Sequence, residues 1–99
     1  MSQVQTKKMN EPTKVILFTS KTSIYFQVTM EEFQMLLKAL EEVQPFTSEI
    51  IDVSEHPELA EQYKVDAVPT IIIGDKRFIG QPKAEDILKV VKSDQQSQL

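Results

Sequence analysis

Cysteine is absent from this 99-residue sequence, and its absence excludes several kinds of chemistry at once. Without a thiol the chain forms no disulfide and offers no thiolate as a nucleophile or as a metal ligand. The sequence contains one histidine, His56. A single imidazole without further ligands does not make a conventional zinc site. We therefore expect neither a metal nor a cofactor.

Long hydrophobic runs and clusters of basic residues are also lacking. No apolar stretch approaches the roughly 20 residues of a membrane span. Residues 1–13 are polar and lack the apolar segment of a secretory signal. The formal net charge is −4, which argues against nucleic acid or an anionic membrane as the main partner. We expect a cytoplasmic protein with one core, since 40% of its residues are hydrophobic.

The apolar pattern predicts one α/β domain over residues 14–93, between flexible polar tails at 1–13 and 94–99. A near-continuous apolar run at 14–20 is typical of a central strand that is buried on both faces. The other predicted elements are a helix with apolar spacing at 30–43, a strand at 49–53, a helix at 57–65, strands at 70–74 and 77–80, and a helix at 84–93. This β-α-β-α-β-β-α order predicts a four-stranded mixed sheet flanked by three helices.

Pro69 marks the beginning of the second half of this sheet. Proline has no backbone donor, so within a sheet it occupies the first position of a strand or an edge. Here it lies between Val68 and Thr70, directly before the apolar run at 71–73. A helix, an X-Pro-Thr sequence and a strand–turn–strand unit are therefore expected in that order.

Three segments in this arrangement together resemble the thioredoxin superfamily, in its short thioredoxin and glutaredoxin form. Residues 15–20 resemble the strand that leads to the family's active site, and residues 52–65 resemble its second-helix segment. Residues 67–70 resemble the loop whose proline is cis in the family, which implies a cis bond before Pro69. The family usually has glycine where Lys64 stands, so a left-handed backbone kept at Lys64 should cost about 1 kcal/mol.

The resemblance also places the two active-site cysteines of the family, and both are replaced here. Counted from the first strand, their positions fall on Ser23 and Phe26, so the motif reads Ser23-Ile24-Tyr25-Phe26. Disulfide exchange requires a thiolate, and a serine hydroxyl ionises far above physiological pH. The resemblance thus implies a thioredoxin-like domain from which dithiol–disulfide exchange is excluded.

Two roles are open for Ser23. It can be the N-cap of the first helix, as serine often is at such a junction. Alternatively, its hydroxyl can stabilise a bound thiol such as glutathione, as in the serine-type glutathione transferases. Downstream, residues 80–83 match neither of the sequences with which glutathione-binding relatives hold this tripeptide.

The start of the first helix is also open. Thr29 and Glu32 form a capping box, which would begin the helix near residue 29, while residues 23–28 alternate like a strand. We expect one helix from about Ser23, with Phe26 pointing into the core. Glu32 and the neighbouring Glu31 are expected on a solvated helix face.

The leading functional hypothesis is a redox-inactive domain that binds a protein or peptide through the groove beside the proline. The backbone of residue 68 would pair with an extended peptide, and an apolar rim would supply side-chain pockets. For Ile24 and Tyr25 two alternatives are open. Either one of them is tucked into the loop and the other is an ordinary exposed residue, or both belong to that rim. The other predicted binding residues are Tyr25, Val53, Val68, Pro69, Thr70, Ile79 and Gly80.

Two alternative functions remain open beside that hypothesis, and so does the oligomeric state. One alternative is a thiol-binding transferase that uses Ser23. The other is a cysteine-free signalling domain, because residues 51–61 resemble a segment of thioredoxin-like domains in bacterial clock and kinase systems. An adaptor, an assembly factor or a scaffold would all fit the leading hypothesis, and a homodimer is possible in each case.

Overall fold

The computed structural model describes the backbone of residues 12–97 and the side chains of residues 12–94. Its elements follow the predicted order. They are β1 (Thr13–Thr19), α1 (Phe26–Leu40), β2 (Phe46–Asp52), α2 (Pro57–Gln62), β3 (Thr70–Ile73), β4 (Lys76–Ile79) and α3 (Ala84–Ser97). None of these three helices has the length and apolar character needed to cross a membrane.

The four strands form one mixed sheet in the order β2-β1-β3-β4. β1 pairs in parallel with β2 over its whole length, from Thr13 opposite Phe46 to Thr19 opposite Asp52. It pairs antiparallel with β3, which forms a hairpin with β4. Gly74 in the hairpin turn has a φ of +61°, a value that glycine adopts without steric cost. The predicted four-stranded mixed sheet and its three helices are confirmed.

The core lies on both faces of β1, since successive side chains of a strand point to opposite faces. Val15 and Leu17 pack under α1 and α3, where they join the fully buried Phe33. Ile16 and Phe18 pack on the other face, under α2. On that face the ring centroid of Phe18 lies 5.3 Å from that of Tyr63 in a tilted arrangement. β1 is therefore the central strand that its apolar run predicted.

Several predicted boundaries are wrong by a few residues. The backbone N–H of Thr13 donates to the carbonyl of Pro45 at 3.1 Å, and the Gln44 side chain donates to the Thr13 hydroxyl at 2.7 Å. These contacts begin β1 at Thr13 and β2 at Phe46, earlier than predicted. At the other end, residues 94–97 continue α3, so this part of the predicted tail is helical. Residues 1–11 and 98–99 lie outside the described part of the chain.

The capping-box interpretation of Thr29 is also wrong. The N-cap of α1 is Tyr25, and Thr29 lies inside the helix with a buried side chain 3.5 Å from the side-chain oxygen of Gln81. Glu32 is not a solvated residue either, because its carboxylate accepts the backbone N–H of Ala84 at 2.8 Å. Both residues thus connect α1 to the beginning of α3, which a local pattern does not reveal.

Candidate functional site

One edge of the sheet collects the ends of all four strands. β1 and β2 are parallel, so their carboxyl ends lie together, and the Val53 N–H donates to the Thr19 carbonyl at 2.9 Å just beyond them. β3 begins and β4 ends at the same place, where the Gly80 N–H donates to the Pro69 carbonyl at 2.9 Å. The predicted residues Val53, Pro69 and Gly80 therefore come together here.

The degenerate motif forms a turn between β1 and α1. The Ser23 N–H donates to the Ser20 carbonyl, the Phe26 N–H donates to the Ser23 carbonyl, and the Ser23 hydroxyl accepts the Tyr25 N–H at 3.1 Å. Ser23 thus stabilises this turn from two positions before Tyr25, which is the actual N-cap. The expectation of a helix from Ser23 is corrected, because the turn ends at Tyr25 and α1 begins at Phe26.

Four large apolar side chains are exposed at this edge, and we call them the apolar rim. Ile24 is 85% exposed, Tyr25 57%, Ile79 69% and Val68 38%. The alternative in which one of Ile24 and Tyr25 is tucked into the loop is therefore wrong, because both are exposed. Apolar side chains exposed together at the end of a sheet are typical of a surface that a partner covers.

Other members of the predicted site are less available. Val53 is half-buried and packs against the core under α2, and Phe26 is half-buried rather than a core residue. Thr70 is 1% exposed, and its hydroxyl donates to the Ala67 carbonyl at 2.7 Å. In the sheet Thr70 lies between two strands, opposite Phe18 of β1 and Ile79 of β4. The side chain of Thr70 is therefore buried and already hydrogen-bonded in this structure.

The backbone of Val68 differs from the side chain of Thr70, which is already hydrogen-bonded. Its N–H and C=O make no hydrogen bond to any other residue from 12 to 97, whereas the adjacent Pro69 carbonyl is bonded to Gly80. The peptide bond that joins Val68 to Pro69 is cis. A backbone donor and a backbone acceptor without a partner among residues 12–97 thus lie beside an exposed apolar side chain.

Asp52, the last residue of β2, stabilises the turn that follows this strand. One of its carboxylate oxygens accepts both the hydroxyl of Ser54 at 2.7 Å and the N–H of Ser54 at 3.0 Å. The Ser54 hydroxyl is the main cause that lowers the pKa of Asp52 below its ordinary value, and Lys21 contributes in the same direction against the opposing effect of burial. Asp52 is therefore ionised near neutral pH and holds the turn after β2.

The sequence interpretation missed a groove that adjoins the rim. It has a volume of about 440 Å³, and its walls include Ile79, Gly80, Pro82 and Asp86. Val28, in the first turn of α1, is a further exposed apolar residue, at 48%. Neither feature has a recognisable motif, because the groove is formed by β4 and α3 meeting in the folded chain. Among the residues that the structure describes, no group of three or more His, Cys, Asp or Glu side chains could hold a metal ion.

The family of this chain follows from a match over most of its length. Residues 17–93 match the sequence model of the KaiB domain. This chain belongs to the KaiB domain family. The matched region begins inside β1 and ends inside α3, so it includes every strand and helix in which the candidate site lies.

Thioredoxins are the other proteins to which this KaiB-family domain is similar. A thioredoxin of Methanocaldococcus jannaschii is 47% identical over 45 residues, which are 44% of this chain and 53% of that protein. The chain thus spans about half the length of this curated relative. Thioredoxin 1 of Thermosipho africanus matches in structure with a TM-score of 0.70 and 23% identity, over 86% of this chain and 97% of that one. Chloroplastic thioredoxin z matches with a TM-score of 0.68 and 20% identity, over 93% and 87%.

These likenesses confirm the thioredoxin-like fold and the resemblance found in the sequence. At 20–23% identity the solved structures show the fold alone. The KaiB-family domain keeps that fold although its sequence contains no cysteine. A redox-inactive domain is consistent with both observations.

Proposed function

We propose that this KaiB-family domain binds a protein or peptide partner through the apolar rim, without thiol chemistry. The observation that carries the proposal is the exposure of four large apolar side chains where thioredoxin-like proteins have their active site. Burial of apolar surface contributes roughly 25 cal/mol per Å², so covering these side chains would be favourable. An adaptor, assembly or scaffold role fits this chemistry.

The backbone of Val68 supports an extended partner segment. An extended peptide that lies beside Val68 can donate to its carbonyl and accept from its N–H, as in other cases of strand addition. Such pairing supplies affinity that depends little on the partner's sequence. The side chains of the rim would then select apolar residues at alternate positions of the peptide.

The family match favours a signalling form of this proposal. Residues 51–61 resemble cysteine-free thioredoxin-like domains of bacterial clock and kinase systems, and the KaiB domain match includes this segment. Exchange of one protein partner for another needs a binding surface but no reactive group, which fits a chain without cysteine. We also propose a cytoplasmic location for this role.

The thiol-binding transferase has less support. The Ser23 hydroxyl already accepts the N–H of Tyr25, so its position is explained by the turn. A test of glutathione binding distinguishes this transferase from a protein-binding domain. Titration with glutathione should leave the amide NMR signals of Ser23 and Gln81 unmoved, and shifts at those two residues would favour the transferase instead.

The test compares Tyr25→Asp and Val68→Asp with the wild-type domain. A charge in either position should weaken partner binding at least tenfold, since a buried unpaired carboxylate costs more than the 1.4 kcal/mol that corresponds to tenfold. Partners would be captured from the lysate of the source organism, purified, and measured by calorimetry. Thermal unfolding should stay nearly unchanged, because both residues are exposed.

The matched control is Val90→Asp. Val90 is 43% exposed on α3, away from the strand ends, so its substitution adds the same charge without touching the rim. It should bind like the wild type. Wild-type affinity of both rim variants would show that the partner uses another surface.

A further inference from the structure

A second groove lies between α1 and α3 and is open to solvent. It has a volume of about 470 Å³. Its walls include Met35, Ala39, Glu42 and Val43 on the side of α1 and Leu88 on the side of α3. Met35 is 54% exposed, whereas Val43 and Leu88 are half-buried and pack against the core. The groove therefore offers apolar surface that a further segment of chain can cover.

The described part of the chain begins beside one end of this groove. The Thr13 N–H donates to the Pro45 carbonyl at 3.1 Å, and Val43 is two residues before Pro45. Residue 12 is thus close to the end of the groove that Glu42 and Val43 form, which we call the Glu42 end. Nine residues of extended chain span about 30 Å, so Val4 reaches every part of the groove from Thr13.

The Glu42 end of the groove is acidic. Glu41 is the C-cap of α1 and Glu42 follows it, and both are exposed. Neither carboxylate forms an ion pair or a hydrogen bond with another side chain of residues 12–94. The C-terminal end of a helix carries a partial negative charge, so two carboxylates at that end favour a nearby cation.

The sequence before residue 12 contains matching residue types. In an extended segment every second side chain points to the same side, so Val4, Thr6 and Lys8 form one row. Val4 and Lys8 are about 13 Å apart in that conformation, and Met35 and Glu42 are about 10 Å apart along α1. When the Lys8 ammonium reaches the Glu42 carboxylate, Val4 therefore lies beside Met35.

We propose that residues 4–8 dock as an extended segment in the groove between α1 and α3 of the same molecule. Val4 covers Met35 and Leu88, and Lys8 pairs with Glu42 while its aliphatic stem lies on Val43. The segment is tethered, so its effective concentration is of millimolar order and weak contacts are sufficient.

Two features of the groove limit this docking. Lys38 and Lys92 also line it, so a basic residue of the segment is favoured only at the Glu42 end. None of the four rim residues lines the groove, so the docking is independent of the proposed partner binding.

The absence of cysteine allows a test of the position of Val4. Val4→Cys combined with Met35→Cys places two thiols in a chain that has no other. In a glutathione redox buffer they should form a disulfide within one chain, measured by alkylation of the remaining thiols and mass spectrometry. The ratio of disulfide to dithiol gives the effective concentration of the two thiols.

The matched control combines Val4→Cys with Val90→Cys. Val90 is 43% exposed on α3 but does not line the groove. The β3–β4 hairpin bonds to Lys14 through Gly74 and contacts α3 through Lys76, so Val90 is also within reach of the segment. The pair with Met35→Cys should have an effective concentration at least about tenfold higher than the control. Equal values would overturn the proposal, and so would disulfide-linked dimers in place of the disulfide within one chain.

The pairing of Lys8 with Glu42 is tested in the same chain with Val4→Cys and Met35→Cys. Lys8→Glu should lower the effective concentration about two- to fivefold, the range for an exposed ion pair. Glu42→Lys should lower it as well, and the two charge changes together should largely restore it. Lys7→Glu is the matched control, because Lys7 points away from the row and should have the smaller effect. Equal effects of Lys7→Glu and Lys8→Glu would overturn the register.

A third measurement needs no cysteine. Val4→Asp in the full chain should shift the amide NMR signals of Met35, Ala39 and Leu88. Gln5→Asp adds the same charge to the opposite side of the segment and should leave these signals nearly unmoved. Signals that respond to neither variant would overturn the docking. The described positions changed in these tests are exposed, so thermal unfolding should find each variant folded.

Discussion

Lys64 has an unfavourable backbone conformation at the end of α2. Its φ is +58°, in the left-handed region where the Cβ of any residue except glycine crowds the following carbonyl. The sequence predicted this conflict, because related proteins usually have glycine there. The conformation is kept because the Lys64 N–H bonds to the Glu61 carbonyl and the Lys64 carbonyl accepts the Arg77 guanidinium at 3.0 Å.

We expect Lys64→Gly to stabilise the domain by about 1 kcal/mol, because glycine adopts this φ without steric cost. The backbone hydrogen bonds of Lys64 are retained. For a domain of this size the midpoint of thermal unfolding should rise by about 4–8 °C. Lys38→Gly, at an exposed position inside α1, is the control of opposite sign and should destabilise by about 1 kcal/mol. Destabilisation by both variants would contradict the assignment of strain to Lys64.

For the candidate site, sequence reasoning named exposed and buried side chains alike. Ile24, Tyr25, Val68 and Ile79 were all named, and all four are exposed. Thr70 was named too, yet its side chain is buried and bonded to Ala67. The difference arises because Thr70 belongs to a strand with neighbours on both sides, and strand neighbours are decided by pairing between distant segments.

The first turn of α3 is capped by Glu32, a residue of α1. The first backbone N–H groups of a helix lack partners within the helix, and the Glu32 carboxylate of α1 accepts one of them from Ala84. α1 and α3 therefore share a hydrogen bond as well as an apolar interface, which includes Phe33 and Ile87.

Removal of this cap gives a prediction for the α1–α3 pair. Glu32→Ala should destabilise the domain by about 0.5–2 kcal/mol, the range measured for loss of an N-cap side chain. Urea unfolding followed by circular dichroism would measure the change. Glu31→Ala alters the same charge and the same helix at an exposed position, so it should stay within about 0.5 kcal/mol of the wild type. Equal effects of both variants would mean that the hydrogen bond contributes nothing.

For the helices and strands, the sequence predicted which elements exist and in which order, but it did not predict all of their first and last residues. Apolar periodicity comes from burial, so it marks the middle of an element well. The ends depend on contacts between segments far apart in the chain. Gln44 and Pro45 hold the beginning of β1, and Asp94 in the last turns of α3 pairs with Lys76 of β4. No local pattern contains those contacts.

The two faces of the sheet are covered unequally in the molecule as a whole. α1 and α3 form a large cluster with the sheet on one face, which includes Phe33, Leu36 and Leu40. On the other face α2 has six residues, none of them buried, and depends on the partly buried Leu59 and Tyr63. The thinner layer is expected to open locally at a lower free energy than the rest.

Native-state hydrogen exchange should therefore find weaker protection in α2 than in β1 and α1. The Arg77 guanidinium, which donates to the Tyr63 carbonyl at 2.8 Å, holds the end of α2 against β4. Arg77→Ala should increase exchange in α2 and leave α1 and α3 nearly unchanged. Lys76→Ala, the adjacent substitution on the same strand, removes a contact to α3 instead and serves as the control. Uniform acceleration in all helices would show that α2 does not open on its own.

The strand pairing of the sheet has a consequence for the apolar rim. β1 ends, β3 begins and β4 ends beside the rim, and each of these strands is paired with its neighbours. Because these strands are fixed relative to one another, a partner that covered the rim would order little of the backbone on binding, and more of the interaction free energy would remain as affinity.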